Sequence, residues 1–381
     1  MRAPFLAVAL ASALCGPVGS LAAQTKPAPA TTPARPRRVA PTFETLSAKA
    51  AEARSAGRLE EAATHYRKAV ALRPEWSEGR LALATVLYDL QRYAEAREQL
   101  DRVTAAVPAD GVAWGLLGLS ASRLKDYDAA LAALGRARTA GISSPEILSA
   151  VLFESALLLN RSGSHDSAFE VLRAFARDGK DTPTVIVAFG LCMLRLRQLP
   201  DEVPIEKREM VRLAGRGGYH MARSRRTALG RLALEELVSR FPAEPNVHYA
   251  LAIYLSPDDP DAALEEFRRE LRRDPDHLES LIQTAHLETR RGHADAALPF
   301  AEKAVALAPD APAGRLTLGR ALLDLERTDE AITQLERAAA LAPASGDVQF
   351  ALSRAYQRAG RTEAASRARE EFLRLTANGP R

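Results

Sequence analysis

The stretch from residue 312 to 345 reads PAGRLTLGRALLDLERTDEAITQLERAAALAPAS, and its pattern decides the fold. Apolar residues recur at the spacing of two short helices, and Pro343 closes the second because a proline cannot continue a helix. The closing proline recurs at intervals of 33 or 34 residues, in one run at Pro74 and Pro108 and in another at Pro242, Pro275, Pro309 and Pro343. This period predicts a repeat array.

The composition fits such an array. The chain has 381 residues, more than one hydrophobic core usually organises, and only 6% of them are aromatic. The good helix formers Ala, Leu, Arg and Glu dominate, and no stretch alternates β-branched and polar residues as a strand does. The sequence therefore predicts an all-α protein.

Two columns of small residues predict how the helices pack. The eighth residue of each unit is small at Ala50, Ala84, Gly118, Ala156, Gly218, Ala252, Ala285, Gly319 and Ser353. The twentieth is small at Ala62, Ala96, Ala130, Ala168, Gly230, Ala263, Ala297, Ala331 and Ala365. We expect the two antiparallel helices of a unit to approach closely at these places, because larger side chains would push them apart. Large residues beside the columns, such as Leu134 and Leu335, are predicted to form the core.

The order of Trp114, Leu117, Gly118, Tyr127 and Ala130 resembles the tetratricopeptide repeat. We count nine such units, which start near Phe43, Ser77, Gly111, Ser149, Val211, Pro245, Leu278, Pro312 and Gly346. The resemblance implies a right-handed superhelical solenoid of helix-turn-helix repeats.

The repeat pattern is interrupted between residues 181 and 206. An extra apolar helix is predicted from Thr182 to Leu196, followed by a loop that contains two prolines. We interpret this segment as an irregular joint between an N-terminal array of about four repeats (43–180) and a C-terminal array of about five (207–376). The extra helix either caps the first array or fills a repeat of altered phase.

The first 23 residues have the features of a bacterial signal peptide. A basic residue precedes an apolar core from about Phe5 to Leu14, and small residues lead to a cleavage point after Ala22 or Ala23. The apolar core is too short to cross a bilayer, so no transmembrane segment is predicted there. We expect cleavage and export to the periplasm or cell envelope.

Both cysteines have ordinary interpretations. We expect no lipid anchor at Cys15, because Leu14 stands where a lipoprotein signal has a small residue. Cys192 lies in an apolar helical run and is predicted to be a buried, unreactive thiol.

Residues 24–41 are rich in Pro, Ala and Thr and are predicted to form an extended linker.

The sequence contains no recognisable catalytic pattern. It lacks a phosphate-binding glycine loop, a Gly-x-Ser-x-Gly elbow, a Cys-x-x-Cys pair and a His-Glu-x-x-His pair. Paired acids such as Glu60-Glu61 and Glu265-Glu266 recur at one part of the second helix, which is typical of a solvated face. We therefore predict a non-enzymatic protein that binds no cofactor and no metal.

The resemblance implies a concave groove lined by the first helix of each unit, where a protein or peptide partner would bind. The residues that it assigns to this groove are Leu81, Tyr88, Leu119, Arg123, Phe153, Arg161, Tyr219, Tyr249, Ile253, Ile282, Arg290, Leu316, Arg320, Phe350, Arg354 and Arg358. Aromatic and arginine side chains are enriched in binding surfaces. The other interpretation is that several of them pack against a neighbouring helix.

Positive charge is concentrated in residues 207–226, which hold seven basic residues and one acid. Arg208, Arg212 and Arg216 are spaced four apart and so form one stripe along a helix, with Arg223 near its end. This basic stripe could bind an acidic partner or an envelope polyanion, or it could be a solvated face balanced by nearby acids. Nucleic acid is not expected, because export removes the protein from it and no base-stacking motif is present.

Overall fold

The computed structural model describes residues 41–223 and 228–377, which form 19 α-helices, two short 3-10 helices and no strand. The α-helices are α1 Phe43–Ser55, α2 Leu59–Leu72, α3 Ser77–Asp89, α4 Tyr93–Ala106, α5 Gly111–Arg123, α6 Tyr127–Ala140, α7 Pro145–Ser162, α8 His165–Arg177, α9 Pro183–Met193, α10 Arg208–Ala222, α11 Ala228–Arg240, α12 Val247–Leu255, α13 Pro260–Arg273, α14 Leu278–Arg290, α15 Ala294–Leu307, α16 Pro312–Asp324, α17 Thr328–Leu341, α18 Gly346–Arg358 and α19 Thr362–Ala377. The 3-10 helix Pro200–Glu202 lies in the predicted loop, and the 3-10 helix Ile205–Lys207 follows it.

The N-terminal predictions fall outside this part of the chain. The predicted signal peptide, Cys15 and all but the last residue of the predicted linker precede the described residues. No helix between residues 41 and 377, leaving aside 224–227, has both the length and the apolar character that a bilayer crossing needs.

Consecutive helices pack against each other along the chain, which confirms the predicted all-α repeat solenoid. The small-residue columns explain the packing within each hairpin. A Cβ atom on Gly118 would lie 2.6 Å from Cγ of Leu134, and one on Gly319 would lie 2.6 Å from Cγ of Leu335. These distances are below van der Waals contact, so the leucine of the second helix rests directly on the glycine backbone of the first.

Most first helices of the repeats are followed by a residue in the left-handed backbone conformation. Gly57, Gln91, Lys125, Gly163, Gly292, Glu326 and Gly360 have φ values between 59° and 93°. The next residue donates its N–H to a carbonyl five residues back, as Arg92 does to Leu87 over 2.8 Å, and this bond satisfies an orphan carbonyl at the helix end. A non-glycine residue in this conformation costs about 1–2 kcal/mol, which the repeated turn tolerates.

Helix α9, the extra helix, ends in that same turn. Arg195 has φ 52°, and Leu196 donates its N–H to Leu191 O over 2.9 Å. Thr182 caps the start of the helix by accepting a hydrogen bond from the N–H of Val185. The same turn also ends α8, where Gly179 has φ 71° and Lys180 donates its N–H to Phe175 O over 2.9 Å, so both interpretations of α9 stay open.

Helices α9 and α10 cross with their backbones in contact. A Cβ on Gly190 would lie 1.9 Å from the carbonyl oxygen of Val211, and one on Gly215 would lie 1.9 Å from that of Ile186. Only glycine permits this approach. Helix α10 thus packs on α9 as a second helix would, and it also forms a hairpin with α11 as a first helix.

The predicted register of the fifth unit is wrong by one residue. A Cβ on Gly217 would lie 2.4 Å from Cγ of Leu234, the relation that Gly118 has to its leucine, so Gly217 is the small residue of this hairpin. The predicted residue, Gly218, instead faces Met193 of α9 at 2.8 Å. The reason is that α10 is packed on two sides and needs a small residue toward each partner.

The core consists of several hydrophobic clusters that follow one another along the chain. One cluster joins α7 and α8 to α9 and α10, and another joins α9 and α10 to α12, α13 and α14. Apolar packing therefore continues through residues 181–206. The division into two arrays at this segment stays a prediction.

Candidate partner-binding surface

Several predicted groove residues are accessible. Arg123, Arg290, Phe350, Arg354 and Arg358 are exposed. Leu81, Tyr88, Phe153, Arg161, Ile253, Ile282, Leu316 and Arg320 are half-buried. These side chains come from first helices between α3 and α18, and we refer to them as the row; that they share one concave face stays a prediction.

Three predicted groove residues are buried, and their assignment to an open surface is wrong. Leu119, Tyr219 and Tyr249 are only 5%, 4% and 8% exposed. The ring of Tyr219 packs edge-on against Phe189 of the extra helix, with centroids 6.0 Å apart. The ring of Tyr249 lies 5.3 Å from that of His277. For these residues the alternative, packing against neighbouring helices, is the correct interpretation.

A polar bridge connects three first helices at the N-terminal end of the row. Burial raises the pKa of the Tyr88 phenol, and the Arg123 guanidinium beside it offsets part of this rise. Glu154 of α7 is 7% exposed and accepts a short hydrogen bond from Ser122. Sequence reasoning missed Glu154, although an acid inside the apolar run around Phe153 was a usable signal.

Arg161 is engaged by the protein itself. Its guanidinium lies 4.6 Å from the centre of the Tyr127 ring and forms an ion pair of 2.5 Å with Glu202. The pKa of Glu202 is lowered by a hydrogen bond from the N–H of Leu199 and by Arg161. This contact fastens the segment after α9 to α7, so Arg161 is less available to a partner than the sequence suggested.

The C-terminal part of the row is more open. Arg290 and Arg354 are exposed, and Arg320 is 3.5 Å from Asp347. Phe350 is 45% exposed, and its ring centroid lies 5.3 Å from that of Phe372 in the last helix. This end therefore offers aromatic area beside positive charge.

The basic stripe lies on the outer face of α10, as its spacing predicts. Arg208 and Arg216 are exposed, while most of the other residues of the helix are buried. Arg212 forms an ion pair of 2.5 Å with Glu209, which also pairs with Arg240 at 3.1 Å. Hydrogen bonds from Arg212 lower the pKa of Glu209, so this acid stays ionised and neutralises part of the stripe.

Arg223, near the end of the stripe, contacts an aromatic side chain of the same helix. The Arg223 guanidinium donates a hydrogen bond of 3.2 Å to the Tyr219 hydroxyl and lies 5.8 Å from the centre of that ring. Lys207, at the other end, pairs with Glu244 at 3.2 Å. The geometry therefore leaves Arg208 and Arg216 as the accessible charges of the stripe.

A small cavity lies where the repeat spacing is interrupted. We call it the α8–α12 cavity; it has a volume of about 150 Å³ and is lined by His165, Asp166, Phe169, Glu170, Cys192, Met193, Arg195, Met221, Tyr249 and Ile253. Four helices and the turn after α9 contribute these residues. Sequence reasoning found only Tyr249 and Ile253, because the cavity depends on how α9 packs.

Two tetratricopeptide repeat family models match the chain, one at residues 53–119 and 288–342 and the other at 116–183, 254–312 and 316–381. The matched ranges stop at residue 183 and resume at 254, and the stretch between them holds α9, α10 and α11. The α8–α12 cavity therefore lies at the least regular part of the array.

Individual proteins resemble parts of the chain. Human protein O-mannosyl-transferase TMTC1 is 32% identical over 139 residues, which are 36% of this chain and 16% of that protein. The solved structure of MamA AMB-1 is 24% identical, with 46% of this chain and 100% of that chain covered at a TM-score of 0.37. MamA from Desulfovibrio magneticus RS-1 is 21% identical, with 40% and 86% covered at a TM-score of 0.37.

Proposed function

Because the chain belongs to the tetratricopeptide repeat family, we propose that it is a non-enzymatic interaction scaffold of the bacterial cell envelope that binds a segment of a partner protein. The observation that carries this proposal is the row of accessible aromatic and arginine side chains on successive first helices, such as Tyr88, Phe153, Phe350 and Arg354. Such side chains combine contact area with directed hydrogen bonds, which is what binding hot spots use.

Two further points belong to the proposal. Export to the periplasm rests on the signal-peptide pattern of residues 1–23. The absence of catalysis rests on the use of the helices for repeat packing and on paired acids such as Glu60-Glu61 that lie on solvated faces. The prediction of a solvated face is wrong for Glu266, which is 8% exposed, with its carboxylate 2.6 Å from Nδ1 of His248. The transferase activity in the name of TMTC1 belongs to a protein of which this chain covers 16%, so we do not transfer it.

Photocrosslinking in cells tests the scaffold function. A benzophenone amino acid at Tyr88 or Phe350 should capture the same partner, because both positions lie on the groove face. The matched control is Glu98, an exposed residue on the second helix α4. Mass spectrometry identifies the captured protein, and it also reads the mature N-terminus, which we expect at Ala23 or Gln24.

The scaffold proposal fails if the groove positions capture nothing, or if Glu98 captures the same proteins with the same yield. An intact N-terminus at Met1 would remove the export part of the proposal and leave the scaffold part in place.

A second function has one observation in its favour. Arg208 and Arg216 of the basic stripe are exposed on one face of α10, so the chain could instead bind an acidic partner or an envelope polyanion there. The ion pairs of Glu209 reduce the charge of this face. The groove is therefore the better-supported site.

A further inference from the structure

Apart from one arginine and two acids at its edge, the wall of the α8–α12 cavity is uncharged at neutral pH. Burial lowers the pKa of His165 to about 4, and Nδ1 of its ring lies 2.7 Å from Oδ1 of Asn160. Burial raises the pKa of Cys192 to about 12 and also raises that of Tyr249. A neutral imidazole, a thiol and a phenol therefore face the cavity.

The remaining wall is apolar and rich in sulfur. Met193 and Met221 contribute thioethers, Cys192 contributes its thiol, and Phe169 contributes a ring. Sulfur makes favourable contacts with the edges of aromatic rings, and aromatic rings pack edge-to-face with one another. A dry cavity of about 150 Å³ is large enough to hold a benzene ring. The wall thus matches an aromatic side chain in size and in chemistry.

The charged groups of the cavity are arranged at its edge. Arg195 is held by Glu279, with an ion pair of 2.6 Å, and its guanidinium lies 5.8 Å from the centre of the Tyr249 ring. The side chains of Asp166 and Glu170 are 92% and 63% exposed. We call these two acids the mouth of the cavity.

The mouth offers two exposed carboxylates, although Arg195 and Arg197 also lie close enough to lower the pKa of His165. Asp166 is 3.6 Å from Arg195, whose charge Glu279 already balances. Glu170 pairs with Arg173 at 3.1 Å, but both side chains are exposed, and such a pair holds its charge only weakly. Both carboxylates are therefore exposed enough to pair with a positive charge that a ligand places beside its ring.

We propose that the α8–α12 cavity receives an aromatic side chain of a partner segment and that a basic residue next to this side chain contacts Asp166 and Glu170. The inference rests on the proposed function, since it supplies one anchoring point for the partner in the groove. Ile253, a half-buried residue of the row, also lines this cavity, so the cavity adjoins the row at α12.

The methionines provide a direct test. The chain has four: Met193 and Met221 line the cavity, Met210 is buried elsewhere, and Met1 lies in the predicted signal peptide. In the mature protein with ¹³C-labelled methionine methyl groups, we expect N-acetyl-Lys-Phe-Lys-amide to shift the Met193 and Met221 signals saturably and to leave Met210 unchanged.

Two control peptides separate the two parts of the proposal. N-acetyl-Lys-Ala-Lys-amide lacks the ring and should bind at least about tenfold more weakly, since it has no aromatic surface to bury in the cavity. N-acetyl-Glu-Phe-Glu-amide should also bind more weakly. The double variant Asp166→Lys, Glu170→Lys changes only exposed residues and should reverse the preference between the two phenylalanine peptides. Ile253→Trp should fill the cavity and abolish the shifts.

The inference is overturned if the alanine peptide shifts Met193 and Met221 as strongly as the phenylalanine peptide, if Met210 moves with them, or if no peptide shifts either signal. It is also overturned if Ile253→Trp, with an unchanged melting temperature, leaves the shifts intact. Crosslinking from Tyr88 does not pass through the cavity, so a partner captured there while these tests fail would leave the scaffold proposal standing.

Discussion

At the scale of single residues, glycines set the distances between helices. Gly118 and Gly319 admit a leucine from the second helix of their hairpin, whereas Gly190 and Gly215 admit the backbone of another helix. The second situation is more restrictive, because a flexible leucine can move by a few tenths of an ångström and a helical carbonyl cannot without displacing the helix. The same substitution should therefore have opposite effects at a helical glycine in such a crossing and at one that faces open space.

The matched pair Gly190→Ala and Gly135→Ala tests this contrast. A Cβ on Gly190 would meet Val211 O at 1.9 Å, and we expect a loss of about 1–3 kcal/mol of unfolding free energy from the forced separation of α9 and α10. Gly135 is exposed in α6 with no neighbour within 4 Å, so its replacement should stabilise the protein by about 0.5–1 kcal/mol. Chemical denaturation measures both; equal effects at the two positions would contradict the described crossing.

At the scale of elements, the sequence predicted the features that recur in every repeat and missed the contacts that occur only once. The repeat period, the all-α class and the two columns of small residues could be predicted directly, since each is a pattern that recurs from unit to unit. Helix α9 was expected, but its partner was not, because nothing in a single sequence says that Gly190 faces Val211. The burial of Tyr219 follows from this contact with α9, so its misassignment has the same cause.

The basic stripe of α10 yields a prediction at this scale. If Arg208 and Arg216 bind a polyanion, reversing both to Glu should abolish the retention of the protein on heparin, and binding should fall steeply between about 50 and 200 mM salt. The reversal of Arg290 and Arg354, which lie outside the stripe, is the control. Retention that is equally lost in the control would indicate a general charge effect and would remove the stripe as a site.

At the scale of the whole molecule, the successive hydrophobic clusters indicate that stability is distributed along the array. In such an array each unit contacts mainly its neighbours, so a local defect should stay local. The α9–α10 crossing is the exception, since clusters on both sides of it share its residues. A partner bound at the α8–α12 cavity would therefore contact helices that belong to both clusters.

The substitution Ala331→Leu tests whether a defect in one repeat destabilises only that repeat and its neighbours. Ala331 is fully buried in α17, so the added side chain must push α17 away from its neighbours, at a cost of about 1–3 kcal/mol. Hydrogen exchange should show lower protection in α16–α19 and unchanged protection in α1–α4, because no shared core connects these two ends of the described chain. The matched control is Thr333→Leu, which adds bulk at an exposed position of the same helix. Loss of protection along the entire array in Ala331→Leu would mean that the units unfold as one, and the nearest-neighbour account of this solenoid would be wrong.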